Sequence, residues 1–185
     1  MKLKFFSILA LSLLTVFTAR ADSELNIPAT LDAAGTGLVL NGQGKRTKLV
    51  LKLYTASLYL KAKSDDAAAI IAADEPMAIR LDITSSTVTP ARMEKATREG
   101  FDAATDGNPG ALAERIEKFL EVLRQGIAEG DAVELTYIPG AGTMMSRNGA
   151  TGATIEGLDF KSALFAIWLG KKPVQKKLKS ALLGG

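Results

Sequence analysis

The stretch "KLVLKLYTASLYL", residues 48–60, constrains this chain more than any other. Leucine, valine, tyrosine and threonine dominate it, and it holds no glycine or proline, so it reads as one long strand or a bent pair. Leu49, Leu51 and Leu53 share one parity, whereas Ala56, Leu58 and Leu60 share the other. Side chains alternate along a strand, so a switch of apolar face near Tyr54 and Thr55 predicts a bulge or bend there. Opposite the first leucines lie Arg46, Lys48, Val50, Lys52 and Tyr54, several cations and one phenol. The preceding "NGQG", residues 41–44, reads as a turn after a short apolar run at 38–40. A permanently charged arginine thus sits where a glycine turn feeds a half-buried strand.

The rest of the chain alternates in blocks. Ser64 is the expected cap of a short helix to residue 73, and "MAIRLDIT" at 77–84 alternates as a strand. Thr89-Pro90 opens a helix to about residue 104, by the cap-then-proline rule. "TDGNPG" breaks it, and a second helix over 111–126 carries Leu112, Ile116, Phe119, Leu120 and Leu123 at helical spacing, a core stripe. Strands follow at 133–138, 143–146 and 151–155, with Asn148-Gly149 suited to a tight hairpin. Asp159 is the expected cap of a helix ending at Gly170, and a last amphipathic helix starts at Pro173. Strands, then helices, then strands, then helices predict an α+β domain, helices packed on one face of a mainly antiparallel sheet.

The 185 residues, 47% hydrophobic and 23% charged, suffice for one domain with a sizeable core. Residues 1–21 read as a cleaved secretory signal: Lys2 and Lys4, an apolar run over 5–17, then Ala19-Arg20-Ala21. About 13 apolar residues fall short of the roughly 20 a spanning helix needs. The domain then occupies 22–185, and the location implied is exported, a bacterial periplasm. Loss of Lys2, Lys4 and Arg20 leaves 20 basic residues against 20 acidic ones. A neutral chain argues against nucleic acid, and signal cleavage against a stable membrane anchor. The basic tail "KKPVQKKLK" reads as a solvated helix end.

Cysteine and histidine are both absent. No disulfide, thiolate nucleophile, Cys-His zinc site or histidine triad is possible, and no metal or cofactor site is expected. Gly42-x-Gly44 lacks the third glycine and following helix of a dinucleotide motif. "GNPGALAERIEKF" lacks a phosphate-loop lysine, and Asp65-Asp66 is accounted for by a helix start. The glycines of "PGAGTMMSRNG" read first as hairpin geometry, with a ligand-cradling loop as the alternative.

Gly42, Gly44 and Arg46, followed by "LKLYTASLYL", "TPARMEKATREGF" and "GLDFKSALFAIWLG", resemble the chalcone isomerase superfamily, most of all its secreted bacterial chalcone isomerase-like branch. The likeness covers residues 25–183. It implies an open-faced β-sandwich: a large antiparallel sheet, a helical layer and a ligand cleft between them. In the plant enzymes an arginine after the glycines holds an anionic flavonoid oxygen, helped by a threonine, a tyrosine and polar groups on later helices. Arg46 matches the arginine; the threonine position falls on Tyr54, the tyrosine position near Asn108 and a late hydroxyl near Ser162. The family's fatty-acid-binding members keep an arginine and a tyrosine for a carboxylate, which Arg46 and Tyr54 could reproduce.

A guanidinium in an apolar cleft presents a planar fork suited to a carboxylate or enolate oxygen. Arg46, Lys52, Tyr54, Asn108 and Ser162 are therefore the expected ligand contacts, for a small acidic apolar ligand such as a fatty acid. The alternative is an isomerase, an intramolecular lyase with Arg46 and Tyr54 as catalytic candidates; a non-catalytic accessory protein ranks third.

Overall fold

The structure, a computed structural model, describes residues 25–185. The signal segment expected at 1–21 lies outside them. Seven antiparallel strands form one sheet in sequence order: β1 (Thr30–Ala33), β2 (Thr36–Lys48), β3 (Leu51–Leu60), β4 (Met77–Ile83), β5 (Ala132–Ile138), β6 (Gly142–Arg147) and β7 (Ala150–Ile155). Among the described residues five helices intervene or follow: α1 (Ala67–Ala72), α2 (Pro90–Ala104), α3 (Ala113–Arg124, entered through a 3-10 turn at Gly110–Leu112), α4 (Leu158–Leu169) and α5 (Lys176–Leu182). The α+β class is as expected, with the curled sheet bearing the helices on one face. Among the described residues no helix is long and apolar enough to cross a membrane.

The core lies between sheet and helices. Ala56, Leu58 and Leu60 of β3, Ile79, Leu81 and Ile83 of β4, and Val133 and Leu135 of β5 meet buried residues of every helix. Phe101 of α2, Phe119 of α3 and Phe160 of α4 pack in edge-to-face and tilted contacts with centroids 5.6–6.2 Å apart, tying the three helices together. The other sheet face carries a smaller cluster of Ala33, Leu38, Tyr59 and Ala78. Beside it Arg80 bridges Asp82 and Glu134.

"NGQG" proves not to be a turn. It lies inside β2, and the chain reverses later, at Leu49-Val50, where Leu49 takes a left-handed φ of 55°. The local turn signal lost to tertiary contact, because Asn41, Gly42 and Gly44 all meet the C-terminal helix. Leu40 faces Tyr59 and Gly42 faces Leu58, which leaves Asn41 bulged between them. Its amide donates to Ser64 O (2.9 Å) and Leu182 O (2.8 Å), and its Oδ1 accepts from Ser64 N (2.8 Å). A Cβ on Gly42 would lie 2.3 Å from Ala181 O, and one on Gly44 2.8 Å from the Ala181 Cβ. The glycines are the floor on which α5 rests.

The predicted change of face exists, slightly displaced. Arg46 faces Tyr54 but Thr47 faces Lys52, so Leu53 is the extra residue. From Tyr54 onward the even-numbered residues of β3 enter the core. Three caps also differ. Asp66, not Ser64, caps α1 by accepting from Ala68 N and Ala69 N. Gly157 precedes α4, with Asp159 inside its first turn, and α5 begins after Gln175 rather than at Pro173.

Candidate functional site

Gly42, Gly44 and Arg46 pair with Leu58, Ala56 and Tyr54, all core-facing, so Arg46 belongs to the helix side of the sheet. The α5 residues Leu178 and Ala181 cover the glycines. Arg46 emerges where that helix begins, half-buried beside Gln175. Its NH1 donates to Thr47 O (2.6 Å) and Gln175 Oε1 (3.2 Å). Gln175 is itself fixed, accepting from Thr47 N at 3.0 Å and donating to Thr47 Oγ1 at 3.1 Å. Among the described residues no carboxylate pairs with Arg46. The sequence holds no acid at all from 33 to 64 or from 160 to 185. A guanidinium has five N–H donors, so neutral acceptors alone leave its charge uncompensated.

Tyr54 is 8% exposed, and its oxygen accepts from Trp168 Nε1 at 3.2 Å. Burial raises its pKa above the ordinary phenol value, against the opposing pull of the Trp168 hydrogen bond and the Arg46 charge. It is therefore a neutral phenol at physiological pH, with its oxygen engaged and its proton available to donate. Trp168 also walls an apolar cavity of about 20 Å³ among Leu81, Met93, Phe119, Leu135 and Leu164. That volume accommodates about one water. Sequence reasoning missed Trp168 and Gln175 as site residues. Trp168 carried only a core signal, and Gln175 none beyond its place before a lysine-rich helix.

Arg46 and Tyr54 come together; the other three candidates stand apart. Lys52 is exposed, carried past the Leu53 bulge into pairing with Thr47. Asn108 is exposed in the turn after α2, its backbone N–H donating to Thr105 O. Ser162 lies six residues before Trp168 on α4, about 9 Å along the axis. Its hydroxyl donates to Ile71 O (2.9 Å) at the end of α1.

Beside Ser162 a second polar cluster serves the fold. Lys161 is fully buried and donates to Ile70 O (3.0 Å), Ile71 O (3.0 Å) and Ala73 O (2.6 Å), carbonyls that α1 leaves without intrahelical partners. Burial lowers its pKa from 10.5 to about 8, and Asp74, which accepts from Tyr137 Oη at 2.6 Å, pulls the other way. Between those pH values the unfolded chain binds the proton that the folded chain has released, so stability rises with pH through this window. Tyr59 and Tyr137, raised to about 12, act in the opposite sense above pH 10. Urea denaturation should thus show a gain of about 2 kcal/mol from pH 8 to 10 that Lys161→Met flattens.

A family profile described as chalcone isomerase-like matches residues 19–184. The crystal structure of a fatty-acid binding protein from Arabidopsis thaliana superposes with a TM-score of 0.69, covering 85% of this chain and 90% of that one at 17% identity. No curated protein matches the sequence.

Proposed function

Given that this chain belongs to the chalcone isomerase-like family, we propose that it binds a small acidic ligand with an apolar body, such as a fatty acid, with Arg46 as the anion anchor. The observation that carries this reading is a half-buried guanidinium, on the core-facing side of the sheet, that has no carboxylate partner among the described residues. Tyr54 adds a neutral donor, and Trp168 links this polar end to the apolar cavity. The solved fatty-acid binding protein of the same fold supports the class of ligand. Because the cavity is small, an acyl chain enters only as α2 and α4 yield around Met93 and Trp168. A raised phenol pKa favours hydrogen-bond donation over proton abstraction, which supports binding ahead of isomerisation. We also propose that the mature protein starts at Asp22 and is exported to a bacterial periplasm, a reading that rests on the signal-like residues 1–21.

Gently purified protein should carry a co-purifying acid visible by native mass spectrometry, displaceable by a fluorescent fatty acid. A charge-assisted hydrogen bond is worth about 1.5–3 kcal/mol, so Arg46→Ala should weaken binding by roughly 10- to 150-fold. Tyr54→Phe loses one neutral bond, about 0.5–1.5 kcal/mol. Arg46→Lys keeps the charge without the planar fork, and a partial loss identifies bidentate recognition. Unaltered affinity in Arg46→Ala would dismiss the anchor.

A further inference from the structure

The β2–β3 hairpin ends in Leu49, Val50 and Leu51, exposed by 96%, 92% and 47%. Leu49 moreover holds a positive φ, the conformation that turns normally give to glycine or asparagine. Two local preferences, polar turn tips and left-handed glycines, are thus both broken at one place, as happens at sites kept for function. Around the tip the charge has one sign. Lys45, Lys48 and Lys52 flank it on the strands. Lys171, Lys176 and Lys177 stand exposed around the start of α5, which Gln175 fastens to Thr47. Among the described residues none of these six lysines pairs with a carboxylate. Carboxylates toward this end are engaged or set back: Asp106 pairs with Lys172 and also feels the charge of Lys171, Asp131 accepts from Ala128 N and Asn148, and Glu129 lies in the loop between α3 and β5.

We propose that this hairpin tip docks the protein on an anionic lipid bilayer, the three apolar residues entering the acyl boundary and the lysines lying among the headgroups. An apolar tip within a basic rim complements a surface that is negative outside and hydrocarbon within. A second copy of this chain is disfavoured as the occupant, because joining two such tips would oppose like charges. A strand rises about 3.3 Å per residue, so Arg46 sits about 10 Å from the tip, at the depth of the headgroups. If the cleft takes an acyl ligand, that reading puts its charged end beside the membrane. The docking itself does not depend on it.

Flotation of the full chain, as expressed and processed, with phosphatidylglycerol vesicles tests the proposal. The N-terminal segment is common to every variant, and no fatty acid is added, so failure here is separate from failure of the Arg46 anchor. The parent should float with phosphatidylglycerol, at least about tenfold less with phosphatidylcholine, and less in high salt. Leu49→Ser with Val50→Ser should reduce partitioning by at least about 30-fold on anionic vesicles. Lys48→Gln with Lys52→Gln should reduce it by about 30-fold there and hardly at all on phosphatidylcholine. Melting temperatures should be unchanged, as the tip is exposed. The proposal is overturned if the parent does not float, if both double variants float like the parent, or if gel filtration shows a parent dimer that the serine variant loses.

Discussion

Trp168→Ala should lower the stability of the protein by about 3–5 kcal/mol, the range for removing a large buried aromatic side chain. Trp168 is 6% exposed, and its ring closes the cavity between sheet and helices, so neighbours fixed by the Phe101, Phe119 and Phe160 cluster have little freedom to collapse into the space. A domain of this size loses roughly 2–4 °C per kcal/mol, giving a fall of about 6–20 °C in Tm. Urea denaturation would separate this from a change in the unfolded state, since the midpoint should move while the slope stays. Trp168→Phe should cost much less and chiefly remove the hydrogen bond to Tyr54. A loss below about 1 kcal/mol in the alanine variant would mean that this side chain does not pack as described.

Gly42→Ala should cost at least about 3 kcal/mol, beyond the usual penalty of one added methyl, because the obstacle is main chain. The new Cβ would meet Ala181 O at 2.3 Å and Leu182 O at 2.7 Å, so α5 must lift or β2 must bend. Lifting α5 would also break the Asn41 hydrogen bond to Leu182 O and disturb Gln175 beside Arg46. Gly37→Ala is the matched control: its Cβ would meet nothing within 4 Å, and its φ is not positive. It should stay within about 0.5 kcal/mol of the parent, or gain slightly from a stiffer unfolded chain. Equal losses in the two variants would show that strand propensity, not helix docking, sets the cost at Gly42.

Features that depend on neighbours in sequence were legible. Thr89-Pro90 caps α2 as expected, with Thr89 Oγ1 accepting from Arg92 N, and the α3 stripe of Ile116, Phe119, Leu120 and Leu123 is buried. The parity conflict between Leu53 and Ala56 foretold a real bulge. What failed depends on distant partners. Gly42 and Gly44 look the same in sequence whether they turn a hairpin or admit a helix from the far end of the chain. Arg46 and Tyr54 meet because they share a strand parity; Arg46 matches a family position, whereas Tyr54 stands where the family has a threonine. Lys52 shared that parity too, but the bulge that the conflict foretold lies between it and Tyr54. Gln175 and Trp168 join them only through packing that no local pattern encodes. Asn108 and Ser162 came from the family resemblance; Asn108 stands in the turn after α2, and the turn of α4 directs Ser162 to the end of α1.

The bond from Arg46 to Gln175 spans 129 positions, and the one from Asn41 to Leu182 spans 141. A nascent chain emerges from its first residue onward, so β2 and β3 are available long before α5 exists. Until it arrives, the glycine floor and the Arg46 guanidinium stay open to solvent, and the emerging polypeptide exposes a surface that invites the wrong partners. Contacts of such long separation form late in folding. The Arg46 end of the sheet, which the proposed function makes the anion anchor, is therefore the last part of the described fold to mature.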